Sequence, residues 1–331
     1  MLTAQDISGV YVLAPTPCTA GGERWDAAGT TVDLAEAESM VEKLIAGGVG
    51  GISLCGTLGE SAALLPEEKL EFYAAAVQAA RKRVPIFGGT TALGTRETIR
   101  QMRAVKDIGL DGAFVGLPFW QKPTIGVALR WFRDLSEAVP DLPIMIYSNS
   151  RVFRFAFPKE FWFELPKMAP TVVTNKITSD AIMRDLEEVV ERTGKQIAHL
   201  PNERQAVVAW RRVGSGVRGL WSTSANEGPE PVVALSSAIN SNDEGRVASI
   251  AEDIQAVPHY RPRESELTFD ELETQVQKAR FVTAGFMNPG YSRAPYLYED
   301  LPAEWIESST THARAWAEMR KKYMKAGISR D

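Results

Sequence analysis

The sequence predicts an α/β fold, a (β/α)8 TIM barrel that carries a C-terminal helical extension. Three observations lead there. Short β-branched or apolar runs recur along the first two thirds of the chain, each is followed by a segment with helical apolar spacing, and no strand-like run follows the eighth pair. Alternation of this kind implies parallel strands joined by helices, and eight uninterrupted units favour a closed barrel over a doubly wound sheet. The division expected is a barrel catalytic domain over residues 1–240 and a helical appendage over 241–331.

Residues 9–19 read as a buried strand entering a proline-bounded turn. Asp33 then caps a helix whose Leu34, Ala37, Val41, Leu44 and Ile45 share one face, and Gly47 and Gly48 stop it. The second strand, 49–55, runs into GTLGESAALLPEEK, where Pro66 suits the first turn of a helix. A third strand at 84–88 precedes the stripe Ile99, Met102, Val105 and Ile108. Strands at 111–116 and 143–147 flank a helix at 124–139, and a short aromatic helix occupies 158–168. The sixth strand is 171–176, followed by one helix over 180–192; the seventh is 196–200, followed by a helix over 203–213. The eighth strand, 217–223, leads to a helix at 231–240, and further helices at 247–257, 269–284 and 302–325 make up the appendage. The run Gly-Gly-Val-Gly-Gly at 47–51 precedes a strand, so it lacks the context of a dinucleotide-binding loop.

Composition narrows the function classes. With 331 residues, 44% hydrophobic and 24% charged, the chain is globular and long enough for a large core. A net charge of −5 argues against a nucleic-acid or anionic-membrane partner. The opening MLTAQDISGV lacks the basic end and apolar run of a signal peptide, and no apolar segment approaches spanning length, so a cytoplasmic location is expected. Cys18 and Cys55 form no short pairing motif, and His199, His259 and His312 share no ligand spacing; neither a disulfide framework nor a metal site is expected.

Barrel chemistry sits at the C-terminal ends of the strands, and there Lys176 stands out. It ends a β-branched run, TVVTNK, whereas Lys43, Lys69, Lys82, Lys106, Lys122, Lys159, Lys167 and Lys278 lie in charge-rich segments that read as solvated. Burial would lower its pKa and leave a neutral amine able to condense with a ketone. The alternative for this stretch alone is a strand-end lysine that snorkels to solvent. Tyr147 ends the fifth strand, one step round the barrel, where its phenol could move protons for such a condensation. Thr57 and the backbone amides of the turn 56–60 offer uncharged donors for a carboxylate. Thr90 and Thr91 end the third strand and could also reach the site. Phe119, Trp120 and Trp221 fall at strand ends, either as the flat wall of an aryl pocket or as plugs of the barrel top.

GTLGESAALLPEEK, VPIFGGTTALGTRE, PIMIYSNS and VTNKITSD resemble, in order and spacing, the dihydrodipicolinate synthase and N-acetylneuraminate lyase superfamily of Schiff-base, pyruvate-handling class I aldolases. The resemblance implies that Gly56, Thr57, Gly59 and Glu60 belong to the turn that binds the keto acid's carboxylate, that Tyr147 is the proton shuttle, and that Lys176 forms the imine. It also implies no cofactor or metal, and a homo-dimer or homo-tetramer. Two departures carry consequences. Leu58 stands where a second hydroxyl residue is usual, leaving a carboxylate to Thr57 and backbone N–H groups, and Phe119-Trp120 stand where the synthases have a relay tyrosine pair. With PNERQ after the seventh strand, Trp221 at the end of the eighth, Asn149 and the long tail, the chain is similar to the trans-o-hydroxybenzylidenepyruvate and carboxybenzalpyruvate hydratase-aldolases of polycyclic aromatic degradation. The substrate so implied is an aryl keto acid split to an aromatic aldehyde and pyruvate, with Trp120, Trp221, Asn149, Asn202 and Arg204 at the aryl end. An inward Arg204 would favour a ring carboxylate, while an outward one would leave Asn202 alone facing the ring. Another pyruvate-dependent aldolase or synthase, or a non-catalytic keto-acid-binding regulator, are the remaining alternatives.

Overall fold

The computed structural model describes residues 1–326. Eight parallel strands, β1 (Gly9–Leu13), β2 (Gly51–Leu54), β3 (Ile86–Gly89), β4 (Gly112–Val115), β5 (Ile144–Ser148), β6 (Val172–Ile177), β7 (Ala198–Leu200) and β8 (Gly219–Ser222), form one sheet in the order β7-β6-β5-β4-β3-β2-β1-β8. Its two edges meet. Trp221 N–H donates to Pro201 O at 2.9 Å, Glu203 N–H donates to Trp221 O at 3.2 Å, and the parallel bridge between Asn202 and Trp221 nearly closes the barrel. Strand residues are almost all buried, because helices cover the outside while the inward side chains fill the barrel.

The helices are α1 (Leu34–Ala46), α2 (Pro66–Ala80), α3 (Thr95–Ile108), α4 (Ile125–Ala138), α5 (Ser150–Phe153), α6 (Lys159–Met168), α7 (Asp180–Arg184), α8 (Leu186–Thr193), α9 (Ala206–Val213), α10 (Glu230–Asn240), α11 (Glu244–Ala256), α12 (Phe269–Ala284) and α13 (Ala303–Ala326). Local chemistry sets their ends. Asp33 accepts the Glu36 N–H at 3.0 Å to start α1, and the Glu68 carboxylate takes the Leu65 N–H at 2.8 Å where Pro66 opens α2. Two sequence expectations are corrected. The single helix over 180–192 is interrupted at Asp185, and the helix after β7 begins at Ala206, because Asn202 Oδ1 accepts the Arg204 N–H at 3.0 Å and holds 202–205 in a turn. Among the described residues no helix is long and apolar enough to cross a membrane.

Residues after 240 contribute α11 to α13 and no strand among the described residues. Val247, Ile250, Phe281 and Trp316 join the core beneath the barrel helices, while Phe269, Leu272, Val276, Leu301 and Trp305 form a smaller cluster of their own. Polar side chains lock this extension to the top of the barrel. Arg280, fully buried, donates to Glu227 at 2.6 Å, to Thr223 Oγ1 at 2.8 Å and to Gln277 Oε1 at 2.7 Å. The expectation of a solvated Lys278 is overturned: it is 1% exposed, and its ammonium lies 2.5 Å from Glu60, which also takes the Arg293 guanidinium at 2.6 Å. Its segment is rich in charge because the charges pair with one another inside the protein, not because water solvates them.

Candidate active site

The strand register brings the two principal residues together. Tyr147 of β5 and Lys176 of β6 are directly paired at the C-terminal ends of their strands. Both side chains reach the floor of a cavity of about 330 Å³ at that end of the barrel, which Gly56, Thr57, Leu58, Asn149, Asn202, Arg204 and Trp221 also line.

Lys176 is 4% exposed, and its Nζ lies 4.0 Å from the centre of the Trp221 ring and 4.5 Å from that of Tyr147. No anion or carbonyl is bonded to it among the described residues. Burial pushes its pKa down to about 7, with the Glu273 carboxylate opposing the fall. Trp221 is fixed in turn by its indole N–H, which donates to Ile177 O at 2.7 Å. Tyr147 is clamped between Phe114, stacked at 4.7 Å, and Phe153, edge-on at 5.3 Å. Its hydroxyl is 3.1 Å from Thr57 Oγ1 and accepts from Asn149 Nδ2 at 3.2 Å. Because Asn149 donates to the phenol oxygen, the phenol's own proton is available to Thr57 or to a ligand. Burial raises the phenol's pKa to about 12, so at neutral pH the group is a proton donor.

The turn after β2 is the other half of the floor. Glu60 N–H returns to Thr57 O at 2.9 Å and Ser61 N–H to Gly56 O at 3.2 Å, whereas the N–H groups of Thr57, Leu58 and Gly59 have no acceptor among the described residues. Such a cluster of free amides beside a hydroxyl suits a carboxylate. The turn is bounded by two non-glycine residues in the left-handed region, Cys55 at φ 51° and Glu60 at φ 53°. At about 1–3 kcal/mol each, this conformation needs support from outside. Support comes from Thr16 Oγ1, which donates to Gly59 O at 2.7 Å, and from the Arg293 and Lys278 pairs on Glu60. Gly59 itself is required, since a Cβ there would stand 2.7 Å from Cys55 N. Leu58, buried in the core cluster, borders the cavity and offers a carboxylate no hydroxyl.

Several assignments change on the structure. Trp120 is 81% exposed and lines neither this cavity nor the next, because Arg154 holds its carbonyl and that of Phe119 at 2.8 and 2.7 Å and turns the loop outward. Phe119 and Thr91 instead line a neighbouring cavity of about 290 Å³, which shares Thr57, Tyr147 and Glu273 with the first. Thr90 is buried outside both. Asn149 is buried and acts on Tyr147, its Oδ1 capping α5 through the Arg151 N–H at 3.1 Å. Asn202 reaches the cavity but donates to Glu203 Oε2 at 2.6 Å, so it is not the free ring donor expected. Arg204 faces inward, with Nη2 buried and unpartnered. His199 packs in the core against Trp162, 2.9 Å from Thr193 Oγ1.

The cavity's far wall lies outside the residues expected from the strand ends. Phe269, Glu273 and Gln277 of α12 and the loop residues His259, Tyr260 and Arg261 all line it. A helix with polar residues on every side is a signal that such residues face something other than water, and TQVQKAR in α12 is such a run: Thr274, Gln275, Gln277, Lys278 and Arg280 are all buried. Glu203 carries no local signal of its own in the sequence. It is buried, its pKa raised by that burial, and it accepts from Asn202 and from Ser224 Oγ at 3.0 Å.

Known proteins are similar to this chain over nearly its whole length. The model of the dihydrodipicolinate synthetase family matches residues 24–296. Trans-O-hydroxybenzylidenepyruvate hydratase-aldolase of Pseudomonas aeruginosa is 36% identical over 97% of this chain and 96% of its own length. Trans-2'-carboxybenzalpyruvate hydratase-aldolase of Nocardioides sp. (strain KP7) is 32% identical over 98% and 97%. The structure of PhdJ bound to substrate intermediate superposes with a TM-score of 0.90 at 30% identity, over 97% of this chain and 99% of that one. On the family match and these relatives alike, the chain belongs to the dihydrodipicolinate synthetase family.

Proposed function

We propose that this protein is a Schiff-base hydratase-aldolase, a carbon-carbon lyase that converts an aryl-substituted benzylidenepyruvate and water to an aromatic aldehyde and pyruvate. The observation that carries the reading is the Lys176 amine, unpaired, desolvated and held between the Tyr147 and Trp221 rings beside a turn of free amides. Thr57 and the turn amides take the keto acid's carboxylate, and the neutral amine attacks the adjacent keto carbon. Tyr147 protonates the carbinolamine hydroxyl, which leaves as water and yields an iminium conjugated with the alkene. Water adds across the double bond, its oxygen to the benzylic carbon and a proton to the carbon next to the imine, so that the iminium is restored. The Tyr147 phenolate then takes the proton of the new hydroxyl, the carbon-carbon bond breaks toward the iminium, and the aldehyde departs. The remaining enamine is protonated and hydrolysed to pyruvate, freeing Lys176. The protein's own lysine is the electron sink, so no metal or organic cofactor enters this sequence.

The apolar walls Phe114, Trp221, Tyr260 and Phe269 suit an aryl group. For the ring substituent we favour an ortho-carboxylate, because Arg204 lines the cavity and its Nη2 is buried with no partner of its own. A second reading, an ortho-hydroxyl, is favoured by Glu273, an acceptor in the same cavity. A homo-oligomer is part of the proposal, with the exposed Phe119-Trp120 loop as a candidate contact between copies. Borohydride reduction in the presence of pyruvate tests the chemistry: the pyruvate-derived mass is expected on Lys176. Absence of that adduct would overturn the mechanism. Aldehyde release from 2'-carboxybenzalpyruvate and o-hydroxybenzylidenepyruvate, assayed side by side, then ranks the substrates.

A further inference from the structure

We propose that Glu273, carried on α12 of the C-terminal extension, is the base that activates the water of the hydration step. The inference rests on the hydratase-aldolase reading. Addition of water to the conjugated iminium needs a group to take a proton as the new carbon-oxygen bond forms, and Tyr147 is already engaged at the carbinolamine end.

Glu273 is half-buried and lines both the main cavity and its neighbour, where Tyr147 is also common to the two. Its carboxylate has no hydrogen-bond partner among the described residues; the charged groups around it are Lys176, Arg151, Asp270 and Arg261. Burial raises its pKa and Lys176 opposes the rise, so it is a stronger base than a solvated carboxylate. Other candidates in the cavity are spoken for. Glu203 accepts from Asn202 and Ser224. His259 Nδ1 accepts the Arg261 N–H at 3.1 Å, and burial with the nearby arginines pushes its pKa down to about 4. The helix that presents Glu273 is held rigidly, with Lys278 paired to Glu60 and Arg280 to Glu227.

In the step, a water oxygen bonds to the benzylic carbon while its proton passes to Glu273. The alkene's electron pair shifts toward the iminium nitrogen and forms an enamine. Protonated Glu273 returns the proton to the carbon next to the imine, restoring the iminium and its own charge. Water has thereby been added across the double bond, and the bond cleavage that follows belongs to Tyr147 and Lys176. Glu273 takes no part in the cleavage step.

Glu273→Gln separates the two steps. On whichever benzylidenepyruvate turns over faster, the full reaction is expected to slow by about a hundredfold or more, the range for loss of a positioned base. Cleavage of the hydrated adduct, the 4-aryl-4-hydroxy-2-oxo acid supplied directly, is expected to change by less than about threefold. Glu273→Asp should recover part of the hydration rate. Equal losses in both steps, or hydration at the original rate, would overturn the assignment. Borohydride trapping with pyruvate distinguishes the two levels of failure: no adduct on the unsubstituted protein overturns the hydratase-aldolase reading and this inference with it, whereas an adduct accompanied by equal losses overturns the role of Glu273 alone.

Discussion

At the inner end of the cavity every reactive group hangs from a strand or from the turn that follows one; at the outer end the groups arrive from the loop after β7, the 259–261 loop and α12, three segments far apart in the chain. Inner positions are fixed by backbone hydrogen bonds, as the direct pairing of Tyr147 with Lys176 illustrates. Outer positions are fixed by side chains, as Arg280 and Lys278 tie α12 to Glu227 and Glu60. On the proposed function, the strand-borne end holds the constant piece of substrate, the pyruvoyl group, and the outer end a piece that can vary while the barrel stays the same.

The largest effects should come from the inner end. Lys176→Ala is expected to abolish turnover on any benzylidenepyruvate while circular dichroism and the unfolding temperature stay close to those of the parent, since the residue makes no side-chain hydrogen bond that the fold depends on. Measurable turnover would break the comparison at its root. Tyr147→Phe keeps the ring contacts to Phe114 and Phe153 and removes only the hydroxyl. Steady-state kinetics should show kcat down by roughly a hundredfold or more. A rise in KM alone, with kcat unchanged, would assign proton transfer to another group.

This division also decided what could be read from the sequence. The barrel was legible because strands and helices differ in period, and because β-branched runs such as TVVT have few other uses. That Lys176, Tyr147 and Thr57 meet at one cavity was legible because strand ends are where a barrel can present chemistry. Glu273 and Gln277 were not, since a helical glutamate and glutamine read as solvent-facing until the neighbouring element is known. Lys278 misled for the same reason: its partner Glu60 lies more than two hundred residues away, and no local pattern records the pair. Trp120 misled in the opposite sense, because a strand-end position constrains where a loop starts and not where it goes.

At the outer end the expected effects are smaller and selective. Arg204→Met should lower kcat/KM on 2'-carboxybenzalpyruvate by about ten- to a hundredfold, equivalent to the ~1.5–3 kcal/mol of a hydrogen bond to a charged group. On o-hydroxybenzylidenepyruvate the same variant should change little. Methionine preserves most of the apolar stem, so lost packing contributes little to either number. Equal effects on both substrates would remove Arg204 from ring recognition.

The smallest effect expected is that of Trp120→Ala, and it sharpens the boundary of the site. An indole 81% exposed and outside both cavities cannot contact a substrate bound over Lys176 without the loop first letting go of Arg154, which grips the Phe119 and Trp120 carbonyls. Removing the side chain leaves those backbone bonds untouched. An exposed substitution is worth within about 0.5 kcal/mol, so kcat/KM per chain should stay within roughly twofold on both substrates. A large exposed tryptophan is nevertheless costly to leave in water, and contact with a second copy is the reason we offer for its presence. Sedimentation of Trp120→Ala beside the parent, at several protein concentrations, should therefore show weaker association with activity retained. A selective loss of activity with association unchanged would move Trp120 back to the aryl pocket and make its outward loop one of two positions.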